Sequence, residues 1–339
     1  MAEEFRANNL INALMRGCRL PWFVTTAIFA VVLISLLVLA AYLDGILTVL
    51  SNWLFWRELL DSPVMTIYIL VVYPFVRRLW ERAIQAIQPL LSEDGEFERM
   101  LKQIIEPKRR WEWTALLAGA VFWLLVSQPW NANWVPGEFW LHVYEIITFP
   151  ILFGLLGWLI YDSLKGARML GRLSHQELNL DIFDGGVLSP IAYYSLSVSL
   201  AFIGGISLSL VFQTPKSLLM WNNITIYAVL VGATILIFFL SMWSAHNAMA
   251  RVKRGELSMV RRQLAEASRE LKELTAQGQL KGMEGLSSAI AGWVTYERRV
   301  QEAPSWPFNA SIIRRLMASV LVPAIVYLIK ILSGLGLRL

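Results

Sequence analysis

Seven apolar blocks, each long enough to carry a helix across a lipid core, set the limits on what this chain can fold into. They run over 22–43, 62–79, 112–128, 139–161, 189–212, 223–245 and 314–332. Crossing a hydrocarbon core of about 30 Å takes roughly 20 helical residues. A backbone in lipid has to satisfy its own N–H and C=O groups, which leaves helices once no period-2 barrel pattern is present. The expected fold class is therefore all-α, a polytopic helical membrane protein of about seven transmembrane helices. Composition agrees, with 56% hydrophobic and 16% charged residues and a mean hydropathy of +0.53, whereas soluble domains carry about a quarter charged residues. The second block is the shortest case to argue: Pro74 interrupts it, and 46–60, with Trp53 and Trp56, reads as an interfacial or re-entrant piece.

Basic residues orient the blocks, because cytoplasmic loops retain Lys and Arg during insertion. With the N-terminus inside, twenty-six of the thirty fall on the inner side, in 1–21, 77–110, 162–188 and 246–315, and only Arg57, Lys216, Lys330 and Arg338 fall outside. Tryptophan, which prefers the interface, forms two matching belts. Trp22, Trp80, Trp111, Trp113, Trp158 and Trp243 stand near the inner boundary, and Trp53, Trp56, Trp130, Trp134, Trp140 and Trp221 near the outer one. The expected location is a cell membrane, crossed several times, with the N-terminus cytoplasmic and the C-terminus extracytoplasmic. Some twenty polar or amphipathic residues precede the first block, which is too long for a signal h-region.

The inner segments are long and patterned, so a cytoplasmic helical domain is expected. Residues 77–106 read as two amphipathic helices, the first burying Trp80, Ala83, Ile84 and Ile87, the second placing Phe97, Leu101 and Ile104 on one face. Beyond the sixth block, Leu257, Val260, Leu264, Ala267, Leu271 and Leu274 fit heptad a and d positions. Gly278, Gly282 and Gly285 then mark a turn, and a return helix carries Met283, Leu286, Ile290 and Trp293. This is a long helical hairpin, packed within one chain or, as a coiled coil, between subunits. APSWPF at 303–308 forbids a continuous helix and reads as an elbow into the last block. Ser174 and Glu177 spell a capping box for a short helix after Ser174. The division is a cytoplasmic segment 1–21, spans at 22–79, cytoplasmic helices at 80–110, spans at 111–245 around an inner loop 162–188, the hairpin at 246–303, and elbow and last span at 304–339.

Ionisable groups inside a span are functional-site candidates. His142 and Glu145 stand three residues apart on one face of the fourth span, and Asp44 ends the first at similar depth. They make either a hydrated vestibule that senses protons or attracts cations, or headgroup-zone residues meeting water. In the fifth span Ser197, Ala201, Gly205 and Ser209 recur every four residues, a spacing that suits a helix packing seam or a hydroxyl-lined path. Pro74, Pro150 and Pro323 can kink their helices, and Lys330 is placed to snorkel.

No reaction chemistry is spelled out. P-loop, dinucleotide, H-E-x-x-H and G-x-S-x-G motifs are missing, as are a TVGYG filter and an arginine-rich sensor helix. Cys18 is the sole cysteine, which excludes an intrachain disulfide and a cysteine metal cluster. Asp181 and Asp184 are too few for a calcium cage. No catalytic residue, cofactor or metal is expected, and the chain does not read as an enzyme. By topology alone, seven spans with helices prolonged into the cytoplasm resemble the insect odorant-receptor channels; no residue is matched. The functional expectation is a homo-oligomeric ion channel or permeation pathway assembled through the cytoplasmic helices. The alternatives are a membrane-anchored scaffold or sensor binding a cytoplasmic protein partner, and a small-solute transporter. The bilayer itself is a partner, and nucleic acid is not.

Overall fold

A computed structural model describes residues 21–46, 53–90, 109–131, 137–174, 183, 189–277, 283–304, 306 and 310–334. Helix α1, Trp22–Leu43, is apolar all round, and the hydroxyls of Thr25 and Thr26 are returned to the carbonyls of Pro21 and Trp22 within the helix. It ends at Asp44 and Gly45, whose φ of 71° is the left-handed turn that glycine makes without strain. A short helix α2, Trp53–Leu59, turns at Leu60 into α3, Asp61–Ile87. α4 is Arg109–Ser127, α5 Phe139–Ser174, α6 Ser189–Phe212, α7 Pro215–Leu218, α8 Trp221–Ala276, α9 Met283–Glu302 and α10 Ala310–Gly334.

Five helical stretches among the described residues are long and apolar enough to cross a membrane: Trp22–Leu43, Trp56–Ile87, Phe139–Arg172, Ser189–Phe212 and Trp221–Ala276. The other two expected spans fall on α4, which opens on Arg109, Arg110 and Glu112, and on α10, whose apolar stretch Pro323–Leu332 is shorter. The chain is thus an all-α polytopic helical membrane protein with a further helical region beyond the bundle. Its lipid-facing surface is apolar, with Val31, Tyr42, Phe75, Leu125 and Trp243 all exposed.

The core sits between α3, α5, α6 and α8. Tyr73, Trp80, Trp158, Leu170, Ile191 and Ile237 are buried there, and the rings of Tyr73 and Trp158 lie 4.7 Å apart. Glycine sets the closest helix contact. A Cβ on Gly119 would meet the Phe153 carbonyl oxygen at 2.1 Å, and one on Gly157 would meet that of Ala115 at 2.7 Å, so α4 and α5 touch backbone to backbone. That seam lets the rings of Trp123 and Phe149 stack at 5.6 Å, 3° from parallel. The amphipathic stretch expected after the second span is the continuation of α3 itself, which buries Trp80, Ala83, Ile84 and Ile87. Likewise α5 runs on to Ser174, where the capping box was expected to open a helix; Glu177, the second amphipathic helix near 97–105 and the segment 1–20 lie outside the described residues.

α8 spans 56 residues without a break, about 84 Å at 1.5 Å per residue. Its far half packs against α9. Val260 and Val300 are fully buried, Arg261 Nε donates to Glu297 Oε1 at 2.9 Å, and Lys253 Nζ donates to the Gln301 and Ala303 carbonyls at 2.7 Å each, closing the end of α9. At the elbow Trp306 stacks on His246 of α8, centroids 4.0 Å apart and 19° from parallel, beside Ala192, Leu196, Phe238 and Met242. α10 then packs along the second half of α6 and on α7, where Val326 and Tyr327 meet Ile206, Leu210 and Leu218.

Candidate functional site

At the end of the bundle opposite the hairpin, α3 begins with a buried acid. Asp61 is 5% exposed and occupies the first turn of its helix, where the N-terminal dipole favours an anion. Its Oδ2 accepts from Gln213 Nε2 at 2.9 Å and, at a long 3.5 Å, from Ser209 Oγ. Its Oδ1 is buried without a hydrogen-bond partner. A buried acceptor without a donor costs on the order of 1–3 kcal/mol, more for a charged group, so Asp61 is a carboxylate held at an energetic disadvantage.

The link between α6 and α8 organises the groups around it. Thr214 and Ser217 form a reciprocal capping box, with the Ser217 N–H donating to Thr214 Oγ1 at 3.2 Å and the Thr214 N–H to Ser217 Oγ at 2.9 Å. Pro215 at the first helical position suits that turn. Gln213, fixed just before it, accepts through Oε1 from Ser217 Oγ at 2.9 Å and from Asn223 Nδ2 at 3.3 Å, while Asn223 Nδ2 also donates to the Ser217 carbonyl at 2.7 Å. Ser209 Oγ and Tyr227 Oη share a hydrogen bond of 3.0 Å. Two cations hold the open end of α6 in place. Arg57 Nε donates to the Phe212 carbonyl at 3.1 Å and its Nη2 to that of Gln213; Lys330 Nζ donates to the carbonyls of Leu210, Val211 at 3.2 Å and Gln213 at 2.7 Å. Cations at a helix C-terminus are favoured by its dipole.

Asp61, Ser209, Gln213, Thr214, Ser217, Asn223 and Tyr227 border a cavity of about 530 Å³ lined by residues of α2 to α8, within the size range of small-molecule sites. Its polar end is made by Glu58, Asp61, Glu145, Ser209, Gln213, Lys216, Asn223 and Tyr227; Glu58, Lys216 and Met220 are exposed and mark the mouth. Below them the wall turns apolar and aromatic, with Met65, Ile69 and Tyr68 from α3, Trp123 from α4, Phe149, Phe153 and Leu156 from α5, Phe202 and Ile206 from α6, and Ile226 and Leu230 from α8. Along α5 the lining runs from Glu145 to Leu159, about 21 Å of helix at 1.5 Å per residue. The chamber is long, with a charged head and an oily shaft.

Of the candidates read from sequence, Glu145, Gly205 and Ser209 stand together on this wall. Gly205 and its neighbour Gly204 also receive the Tyr68 ring: a Cβ on Gly204 would lie 2.5 Å from the Tyr68 hydroxyl, which donates to the Ala201 carbonyl at 2.7 Å. The other candidates sit elsewhere. Asp44 caps α5, accepting from the backbone N–H groups of Trp140 at 3.0 Å and Leu141 at 2.9 Å. His142 donates from Nδ1 to the Glu138 carbonyl at 2.8 Å. Ser197 on α6 and Pro323 on α10 are half-buried away from the lining, and Lys330 closes α6 as described.

Asp61, Gln213, Tyr227 and Asn223 were not singled out from the sequence. Asp61 falls one residue before the second block, at 62–79; the signals at hand were its place directly before a helix and the T-P-K-S cap beside Gln213. Among the described residues no three His, Cys, Asp or Glu side chains come together in a way that could hold a metal ion. Compared with known proteins, the chain matches no family model, no curated protein and no solved structure.

Proposed function

We propose that this membrane protein is a sensor for a small solute, which enters the cavity from the extracytoplasmic side and is reported to the cytoplasmic hairpin. The observation that carries the reading is α8: Asn223, Ile226, Tyr227 and Leu230 form one wall of the cavity, and the same unbroken helix runs on to Ala276 to make one arm of the hairpin. A packed helix transmits a displacement at one end to the other, because protein interiors do not absorb strain by compression. The elbow adds a second connection, since Trp306 stacks on His246 of α8 just before α10 begins. The basic-residue asymmetry supports a hairpin inside and a mouth at Glu58 and Lys216 outside, and the count of spans in this reading is seven, with α4 and α10 as the third and last.

The experiment fills the cavity covalently. In a Cys18→Ser background, Ala201→Cys is modified with benzyl methanethiosulfonate, and hydrogen exchange is followed in 250–302. Altered protection there is the expected result; complete modification with unchanged exchange in the hairpin would sink the sensor reading. A second reading, a homo-oligomeric channel, draws on α10, which packs mainly along α6 and α7 and leaves Leu321, Ile325, Leu328 and Ile329 exposed for a second subunit or lipid. Conductance from a symmetric assembly of the pure protein in planar bilayers would favour it.

A further inference from the structure

The chemistry of the chamber narrows its ligand to one class. We infer that the cavity takes an organic ammonium ion, a protonated amine carrying an apolar or aromatic body, with Asp61 as its anchor; this rests on reading the cavity as a solute site. Among the described residues, three carboxylates, Glu58, Asp61 and Glu145, stand on the wall against one cation, Lys216. The nearby Arg57 and Lys330 are drawn to the α6 carbonyls, so an anionic head would meet repulsion with little to offset it. Asp61 supplies an independent reason for a donor: it lies on the cavity wall, 5% exposed, and its Oδ1 has no hydrogen-bond partner.

The cation is organic rather than a bare metal ion because the carboxylates do not converge. No three acidic or histidine side chains among the described residues are grouped to hold a metal, and a hard cation needs six or more oxygens within about 2.6 Å. An ammonium is satisfied by one or two acceptors and by ring faces. The shaft provides those rings, with Tyr68, Trp123 and Phe149 below the acids, and its apolar length suits the body of an amine rather than a fully polar solute.

The test is isothermal titration calorimetry on the full chain in zwitterionic nanodiscs, with empty nanodiscs subtracted, using three probes of one shape: tryptamine, neutral tryptophol and anionic indole-3-acetate. Tryptamine is expected to bind at least about tenfold tighter than tryptophol, the ratio one charge-assisted hydrogen bond supplies, with no binding of the acid. In Asp61→Asn, with its melting curve checked, the ratio falls towards one. Equal binding of amine and alcohol in the unmodified protein, binding of the acid, or no binding of any probe would each overturn the inference. The hairpin response to covalent filling is independent of all three, so loss of the amine preference with a responding hairpin removes the ligand class and leaves the sensor reading in place.

Discussion

Replacing Gly119 by alanine tests the geometry that shapes the cavity wall. The added Cβ would sit 2.1 Å from the Phe153 carbonyl oxygen, 2.9 Å from its carbon and 3.2 Å from Gly154 Cα. These are backbone atoms of a facing helix, so no rotamer change relieves the clash. Clearing it to 3.0 Å, below which real Cβ contacts essentially never fall, moves α4 from α5 by 0.9 Å (3.0 minus 2.1). A radial gap of about 0.5–1 Å forfeits a quarter to a half of each dispersion contact, and overpacking of a core costs about 1–3 kcal/mol. Because the seam is lined by backbone on both sides, Gly119→Ala is placed at the top of that range, about 3 kcal/mol. The assay is thermal unfolding in detergent followed by intrinsic fluorescence, with Gly232→Ala as the control, since nothing lies within 4 Å of a Cβ there and helical Gly→Ala gains up to about 1 kcal/mol. The Trp123–Phe149 stack on the wall should loosen with the seam. If Gly119→Ala melts with the control, the close approach of α4 and α5 is wrong.

Gly204→Ala should destabilise by about 1–3 kcal/mol, and Tyr68→Phe, which removes the hydroxyl 2.5 Å from the new Cβ and leaves the ring carbon at 3.5 Å, should recover part of that loss; strictly additive melting shifts would refute the contact. Arg57→Met and Lys330→Met each leave α6 carbonyls unpaired, for about 1–3 kcal/mol apiece, and because both bind the Gln213 carbonyl the double variant should depart from the sum in a double-mutant cycle. Asp44→Ala removes the acceptor for the Trp140 and Leu141 N–H groups and should cost about 1 kcal/mol, as cap losses do, seen as a lower melting temperature and faster amide exchange at the start of α5.

The apolar blocks announced the long helices because membrane insertion is written in local composition, and Trp22–Leu43 and Ser189–Phe212 coincide closely with the blocks at 22–43 and 189–212. The hairpin was legible from heptad spacing: Val260 sits at such a position and is fully buried in the half of α8 that packs against α9. The site was harder, because its residues come from seven helices, α2 to α8, and their meeting is a tertiary fact. Glu145 and Ser209 were visible as polar groups inside spans, yet the sequence does not say that they share a wall with Asp61, 84 residues before Glu145 and 148 before Ser209. Asp44 shows the same. As an acid at a span end it read as either a vestibule or a headgroup-zone residue, and its place as the cap of α5, accepting from the Trp140 and Leu141 N–H groups, depends on a helix 96 residues away in sequence. The glycines of the α4–α5 seam, Gly119, Gly154 and Gly157, escaped because their partners are carbonyls of another helix, which no periodicity within one span reveals.

Access to the cavity is the claim on which the rest depends. In a Cys18→Ser background, Ser209→Cys and, separately, a hairpin cysteine at Ala276 are exposed in intact cells to a membrane-impermeant thiol reagent, and the fraction modified is read by mass spectrometry. Modification at 209 from outside, with 276 reacting only after permeabilisation, is the predicted result. Protection of 209 in intact cells together with modification of 276 would place the mouth on the wrong side of the membrane and contradict the account.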